Sequence, residues 1–168
     1  AENKVDFCAF TGDMYERESQ TKPRNLVKDR IMELADICTI GMVYGNHDAS
    51  GDLDILGALR AKHRILVYDS PFVLTYGKTN FYMVPWIYKA NWASMNKPED
   101  MQRSNEEISK QLLLWLKALK INNPNDHHIV VAHVTINGAR AENNQPLIGE
   151  GITIGEYDLE EAGFEAGF

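Results

Sequence analysis

The sequence predicts an α/β fold. Short apolar runs of strand length alternate along the 168 residues with longer segments whose apolar residues recur at helical spacing. Three of the apolar runs end in the same way, in polar residues that begin at Gly12-Asp13, at Gly45 and at His133. Because ligand sites in α/β sheets lie at the carboxyl ends of strands, we expect these three polar ends to meet in one site.

The first half of the chain predicts three strands separated by two helices. Strands are expected at Val5–Thr11, Cys38–Tyr44 and Arg64–Tyr68, which are apolar runs of strand length. Asn25–Asp36 carries apolar residues at helical spacing, and Asp52–Lys62 is typical of a shorter helix.

The second half predicts a hairpin and one long helix. The hairpin joins Phe72–Thr75 to Asn80–Trp86 through a turn that contains glycine. The helix is expected at Met101–Ile121, where Ser104 and Glu107 have the spacing of a capping box. Further elements are predicted as strands at His128–His133 and Gly151–Ile154 and as a helix at Glu156–Ala162.

Composition limits the kinds of protein this chain can be. The length is that of a single domain, 1–168, and the net charge of −7 argues against a protein that coats DNA electrostatically. No apolar run approaches the roughly 20 residues of a membrane helix, so no membrane partner is expected. Cys8 and Cys38 lie in apolar strands and are expected to be reduced thiols, although one disulfide stays open as an alternative.

The stretch VYGNHDAS holds the most specific arrangement of polar groups. The amide oxygen of Asn46 is a neutral ligand that suits a metal already bound by carboxylates. His47 is a candidate for ligating a metal or for contacting a substrate phosphate, and Asp48 is expected to hydrogen-bond the imidazole and fix its tautomer. The alternative is a tight turn that happens to contain a histidine.

Asp13 and His133 become candidate site residues only when they are considered together with that stretch. Alone, Asp13 is more typical of a turn or helix cap, and His133 of a structural histidine at a strand end. The sequence has no Gly-x-Ser-x-Gly elbow, and neither cysteine has a context that activates a thiolate. A metal-activated water is therefore the favoured nucleophile.

Three segments carry a resemblance to a known family. In this order, FTGDMYER, VYGNHD and VVAHVTINGA resemble signature motifs of the calcineurin-like metallophosphoesterases. Within that superfamily the chain is most similar to the SbcD-type DNA repair exonucleases, because of GDMYER, MVPWI and the helix that ends in QLLLWLKAL. The resemblance implies an αββα sandwich, in which two central mixed sheets are flanked by helices.

The resemblance also implies a role for each residue of the site. Asp13 matches the carboxylate that bridges two divalent metal ions, and Asn46 and His133 match ligands of the second ion. His47 matches the histidine that contacts the scissile phosphate, with Asp48 as its support. The two ions are expected to be Mn²⁺, with iron, zinc or magnesium as alternatives, and carboxylate, amide and imidazole ligands suit Mn²⁺.

The sequence departs from the family pattern in three places. No Asp-x-His motif precedes Asp13, no Gly-His-x-His motif follows His133, and Glu16 stands where Asp is more usual. We therefore expect a single nuclease catalytic domain that is a fragment of a longer chain, with its first metal site incomplete.

The function expected from the resemblance is a DNA exonuclease or endonuclease of DNA repair or recombination. DNA is the expected substrate, with Tyr15 and Arg17 as candidate contacts to it. An SMC-like ATPase of the SbcC type, homodimer formation and a cytoplasmic, nucleoid-associated location are expected on the same ground. The alternatives are a phosphoesterase that acts on a nucleotide or phosphoprotein, and a degenerate, non-catalytic family member.

Overall fold

A computed structural model describes residues 4–16, 20–95, 104–122, 124–137 and 151–164 of the chain. Strands and helices alternate through the first half of these ranges, as the sequence predicts. The strands are β1 (Phe7–Phe10), β2 (Thr39–Val43), β3 (Ile65–Tyr68), β4 (Phe72–Tyr76), β5 (Thr79–Val84), β6 (His127–Ala132), β7 (Thr135–Asn137) and β8 (Thr153–Gly155). The helices are α1 (Thr21–Ala35), α2 (Asp54–Gly57), α3 (Lys89–Met95), α4 (Asn105–Ile121) and α5 (Glu156–Glu161).

Two sheets pack face to face at the centre of the molecule. The first has the order β1-β2-β3 and its pairings are parallel, whereas the second has the order β4-β5-β6, with β4 antiparallel and β6 parallel to β5. Val43, Met83 and Val131 are buried between the sheets. The ring of Phe7 lies 4.2 Å from that of Phe81, centroid to centroid, and so also joins the two sheets.

The outer face of each sheet is covered by helices. In β2, Ile40 and Met42 point away from the second sheet and pack against Ile31 and Ala35 of α1. On the other side, α4 and α5 cover the second sheet through a buried cluster, whose members on α4 are Ile108, Leu112 and Leu116. The resulting order of layers is helix, sheet, sheet, helix, which confirms the predicted αββα sandwich.

Several helix boundaries differ from the predicted ones. α1 begins at Thr21 instead of Asn25, since Pro23 is tolerated in a first turn, where amide groups lack helical partners anyway. α2 is shorter than Asp52–Lys62, and α3 and β7 were not predicted. In α4 the predicted capping box is confirmed, because the Ser104 hydroxyl accepts from the Glu107 amide and the Glu107 carboxylate accepts from the Ser104 amide. Residues 101–103 lie outside the described ranges.

Both cysteines are free thiols, as expected. Burial raises the pKa of Cys8 and of Cys38, which favours the protonated thiol over the thiolate. Among the described residues, no helix is long and apolar enough to cross a lipid bilayer.

The contact between the two sheets makes Gly41 sensitive to substitution. A Cβ atom there would lie 2.5 Å from the Phe7 ring and 3.2 Å from the Met83 side chain. We predict that Gly41→Ala lowers the free energy of unfolding by about 1–3 kcal/mol, because the Phe7 ring and the Met83 side chain, which pack between the sheets, must shift. Urea denaturation measures the change. Ala9→Val, on the exposed β1 position paired with Gly41, is the control and should stay within about 0.5 kcal/mol. Equal stability of Gly41→Ala and wild type would refute the tight contact.

Candidate metal-binding site

The polar ends of three strands meet at one edge of the molecule. β1 leads into residues 11–16, β2 leads into residues 44–48, and β6 ends directly before His133. The two sheets are tied together at this edge, because the Trp86 amide donates to the Tyr44 carbonyl at 2.8 Å. Residues far apart in sequence therefore form one site, as the strand ends predicted.

The turn after β1 has an unusual backbone. Gly12 has φ of 96° and Asp13 has φ of 52°, and Asp13 is the one non-glycine residue with positive φ in the described part of the chain. A non-glycine residue in this region is strained, and such strain tends to persist at functional sites, where the surroundings hold it. The conformation directs the Asp13 carboxylate towards the turn that follows β2.

Two glycines allow these loops to approach each other. A Cβ on Gly12 would lie 2.6 Å from Nδ1 of His133 and 2.8 Å from the Gly45 backbone, and a Cβ on Gly45 would collide with the Asp13 carboxylate. Neither position has room for a side chain. Gly12 and Gly45 are thus required by the close packing of the site as well as by the turns.

Three side-chain atoms converge where the loops meet. Nε2 of His133 lies 2.9 Å from Oδ1 of Asn46 and 3.5 Å from Oδ2 of Asp13. Nδ1 of His133 lies 2.7 Å from the Thr11 carbonyl, which can only accept, so this nitrogen carries a proton and donates it. In the neutral ring Nε2 is then an acceptor that faces two oxygen acceptors.

Such a group of acceptors suits a divalent cation. Adjacent donors at about 2.1 Å from one octahedral divalent ion lie roughly 3 Å from each other, which is close to the two observed separations. Within the described ranges there is no group of three His, Cys, Asp and Glu side chains suited to a metal, so Asn46 is essential as the third donor here. Carboxylate, amide oxygen and imidazole fit a divalent metal ion.

His47 lies beside the three donor side chains but is not one of them. Its main-chain amide donates to Oδ1 of Asp13 at 3.0 Å, and Nδ1 of its ring donates to the Glu16 carbonyl, also at 3.0 Å. The imidazole is exposed, and its Nε2 is left available to a substrate. The loop after β1 thus orients both histidines through main-chain carbonyls.

Asp48 supports His47 in a different way from the one predicted. Its carboxylate is 6% exposed, and its two oxygens accept from the main-chain amides of Tyr15 at 3.0 Å and Gly45 at 2.9 Å. The expected hydrogen bond to the imidazole is replaced by the contact of His47 with the Glu16 carbonyl. The reason is that the turn directs Asp48 inward and His47 outward, so Asp48 fastens the two loops together.

The candidate DNA contacts fare differently from the candidate metal ligands. Tyr15 was expected to face DNA, but its side chain is 5% exposed and packs in the core beneath α1. That expectation is corrected, since an aromatic ring next to a buried strand gains more from burial than from exposure. The main-chain amide of Tyr15 is what reaches the site. Arg17 lies outside the described residues.

Sequence reasoning missed Tyr44, which lies directly before Gly45. Its hydroxyl donates to Asp54 at 2.9 Å and accepts from the amides of Leu53 and Asp54 at 3.2 Å, so it fixes the end of β2 to the start of α2. Burial, followed by the hydrogen bond to Asp54, raises the pKa of Tyr44 to about 12. A tyrosine in a buried strand gives no sign in the sequence that it performs this task.

The comparison with protein families identifies the family of the chain. The model of the calcineurin-like phosphoesterase family matches residues 1–164. The chain belongs to that family. Its members are hydrolases of phosphoester bonds and typically bind two divalent metal ions, so the chain is a metal-dependent phosphoesterase by family. Comparison with curated protein sequences finds no significant match.

We predict that Asp13→Asn removes metal binding without destabilising the fold. Asn tolerates positive φ better than most residues and keeps an oxygen for the His47 amide, but the substitution removes the one anionic donor of the group. Mn²⁺ should raise the thermal midpoint of the wild type and leave that of Asp13→Asn unchanged. Asp29→Asn, on the exposed face of α1, is the control and should respond as the wild type does. A full Mn²⁺ response in Asp13→Asn would contradict the assignment.

Asp48→Asn should destabilise the protein by about 2–3 kcal/mol. An amide can offer only one oxygen to the two amides that Asp48 accepts from, so one buried donor loses its partner. Chemical denaturation is the measurement, with Asp69→Asn at an exposed loop position as the neutral control. If Asp48→Asn were as stable as its control, Asp48 would not fasten the loops.

Proposed function

We propose that this chain is a metal-dependent phosphodiesterase that acts on DNA, in the manner of the SbcD-type nucleases. The convergence of Nε2 of His133, Oδ1 of Asn46 and Oδ2 of Asp13 supports this proposal most directly. A divalent ion held by these donors would supply a positive charge for the phosphate and would acidify water. A binuclear site is part of the proposal, and the remaining ligands are expected from segments other than the described ones.

His47 is the residue that we assign to the leaving group. With Nδ1 donating to the Glu16 carbonyl, Nε2 is the ring nitrogen that can contact a phosphate oxygen. When protonated, Nε2 can donate to the oxygen that leaves, as a general acid does. Asp48 and the amide contact with Asp13 keep the His47 backbone in place, so both are positioning groups.

DNA as the substrate is supported by the sequence motifs that resemble the SbcD type. That resemblance depends most on Asn46-His47-Asp48. The backbone and side chains of these three residues also build the site. An SMC-like ATPase of the SbcC type, homodimer formation, nucleoid association and membership of a longer chain belong to the same proposal.

One observation favours a substrate other than a long nucleic acid. The net charge of −7 gives the chain no general attraction for a long polyanion. A nucleotide or a phosphoprotein is therefore the second candidate substrate, because each presents a single phosphoester to the metal site.

Hydrolysis of linear duplex DNA in the presence of Mn²⁺ tests the proposal. We expect acid-soluble nucleotides to be released, and His47→Gln to lower the rate by about 100-fold or more, the usual contribution of a general acid. The thermal shift with Mn²⁺ should persist in His47→Gln, because His47 lies outside the donor group. His127→Ala, at the opposite end of β6 from His133, is the matched control and should keep wild-type activity.

Two results would contradict this assignment. Turnover of bis-p-nitrophenyl phosphate with intact DNA would favour the second candidate substrate. Loss of the Mn²⁺ response in His47→Gln would show that His47 is a ligand instead of a proton donor.

A further inference from the structure

A half-exposed aromatic ring lies beside the site and has no part in the proposed chemistry. Tyr88 is 49% exposed, and its hydroxyl donates to the main-chain carbonyl of Asn46 at 3.3 Å. The polar end of Tyr88 is thereby held against the residue that supplies the amide donor. Much of the ring stays accessible to solvent next to the place where a phosphate would bind.

The segment that carries Tyr88 is built to face the site. It follows β5 and is fastened to the end of β2 by the bond from the Trp86 amide to the Tyr44 carbonyl. Ile87 is buried in the core beneath α4. Ile87 is buried, whereas Trp86 is partly exposed and Tyr88 is exposed, so the two rings on either side of Ile87 lie nearer the surface.

Trp86 fixes this segment against the metal ligands. Its ring meets that of His133 edge to face, with 5.9 Å between centroids. A Cβ atom on Gly151 would lie 2.6 Å from two atoms of the Trp86 ring, so the indole is packed against that backbone. The Trp86 ring is therefore already packed against protein groups, whereas a ligand can reach the ring of Tyr88.

We propose that Tyr88 stacks against an unpaired nucleobase adjacent to the phosphate at the metal site. This inference rests on the proposed function and names the part of the substrate that is recognised besides phosphate. Stacking on an aromatic ring accepts any base, because every base has a π face. It also needs no positive charge, which suits a chain with a net charge of −7.

Two ligands that share a phosphate and differ in the base test the proposal. AMP and ribose 5-phosphate are titrated into the protein with Mn²⁺ present, and heat is measured by calorimetry. We expect AMP to bind about tenfold more tightly than ribose 5-phosphate, within the range found for one stacked base. Tyr88→Ala should abolish this preference by weakening the binding of AMP alone. Tyr88→Phe should keep the preference because the ring remains.

Further variants separate stacking from indirect effects. Tyr88→Leu keeps an apolar side chain and should still lose most of the preference, while Tyr157→Ala, at a tyrosine 84% exposed on α5, should leave it unchanged. Equal affinity of the wild type for both ligands, or a preference that survives Tyr88→Ala, would overturn the proposal. Failure of both ligands to bind with Mn²⁺ would contradict the proposed function and this inference with it.

Discussion

The close approach of two loops is the constraint on which the site depends. Residues 11–16 after β1 and residues 44–48 after β2 meet at Gly12 and Gly45, where no Cβ can be accommodated. The buried Asp48 carboxylate then joins them by accepting one amide from each loop. Two parallel neighbouring strands bring the loops to the same edge, but the glycines and Asp48 set the separation between them. The Asp13 carboxylate, both histidine orientations and the position of Asn46 follow from that separation.

Strain and polarity at this edge are consistent with a site that is organised before a ligand arrives. Asp13 is held at positive φ, and the loop that contains it presents two carbonyls that fix the tautomers of His47 and His133. Nε2 of His133 consequently faces two oxygen acceptors, an arrangement that costs free energy unless a cation or a proton lies between them. Folding of the sandwich provides that free energy through its buried sheets, so stability in the core supports strain at the edge.

The sequence predicts the local features of this protein better than the contacts between distant segments. The strands other than β7, the capping box of α4 and the polar ends were predicted because each depends on neighbouring residues. Thr11 and His133 are 122 positions apart, so their hydrogen bond could only be expected as a meeting of strand ends. Asp48 was expected to hydrogen-bond the imidazole of His47, and Tyr15 was expected to contact DNA because it closely follows Asp13. The backbone instead turns both inward, and no residue pattern distinguishes the two outcomes.

A crystal of the chain soaked in Mn²⁺ tests the central assignment most directly. Anomalous scattering locates the ion independently of activity and of the substrate. We predict a manganese peak within coordination distance of Asp13, Asn46 and His133, with the His133 ring still bonded to the Thr11 carbonyl through Nδ1. Manganese bound elsewhere, or no peak among these three side chains at saturating Mn²⁺, would contradict the assignment of this edge as the metal site.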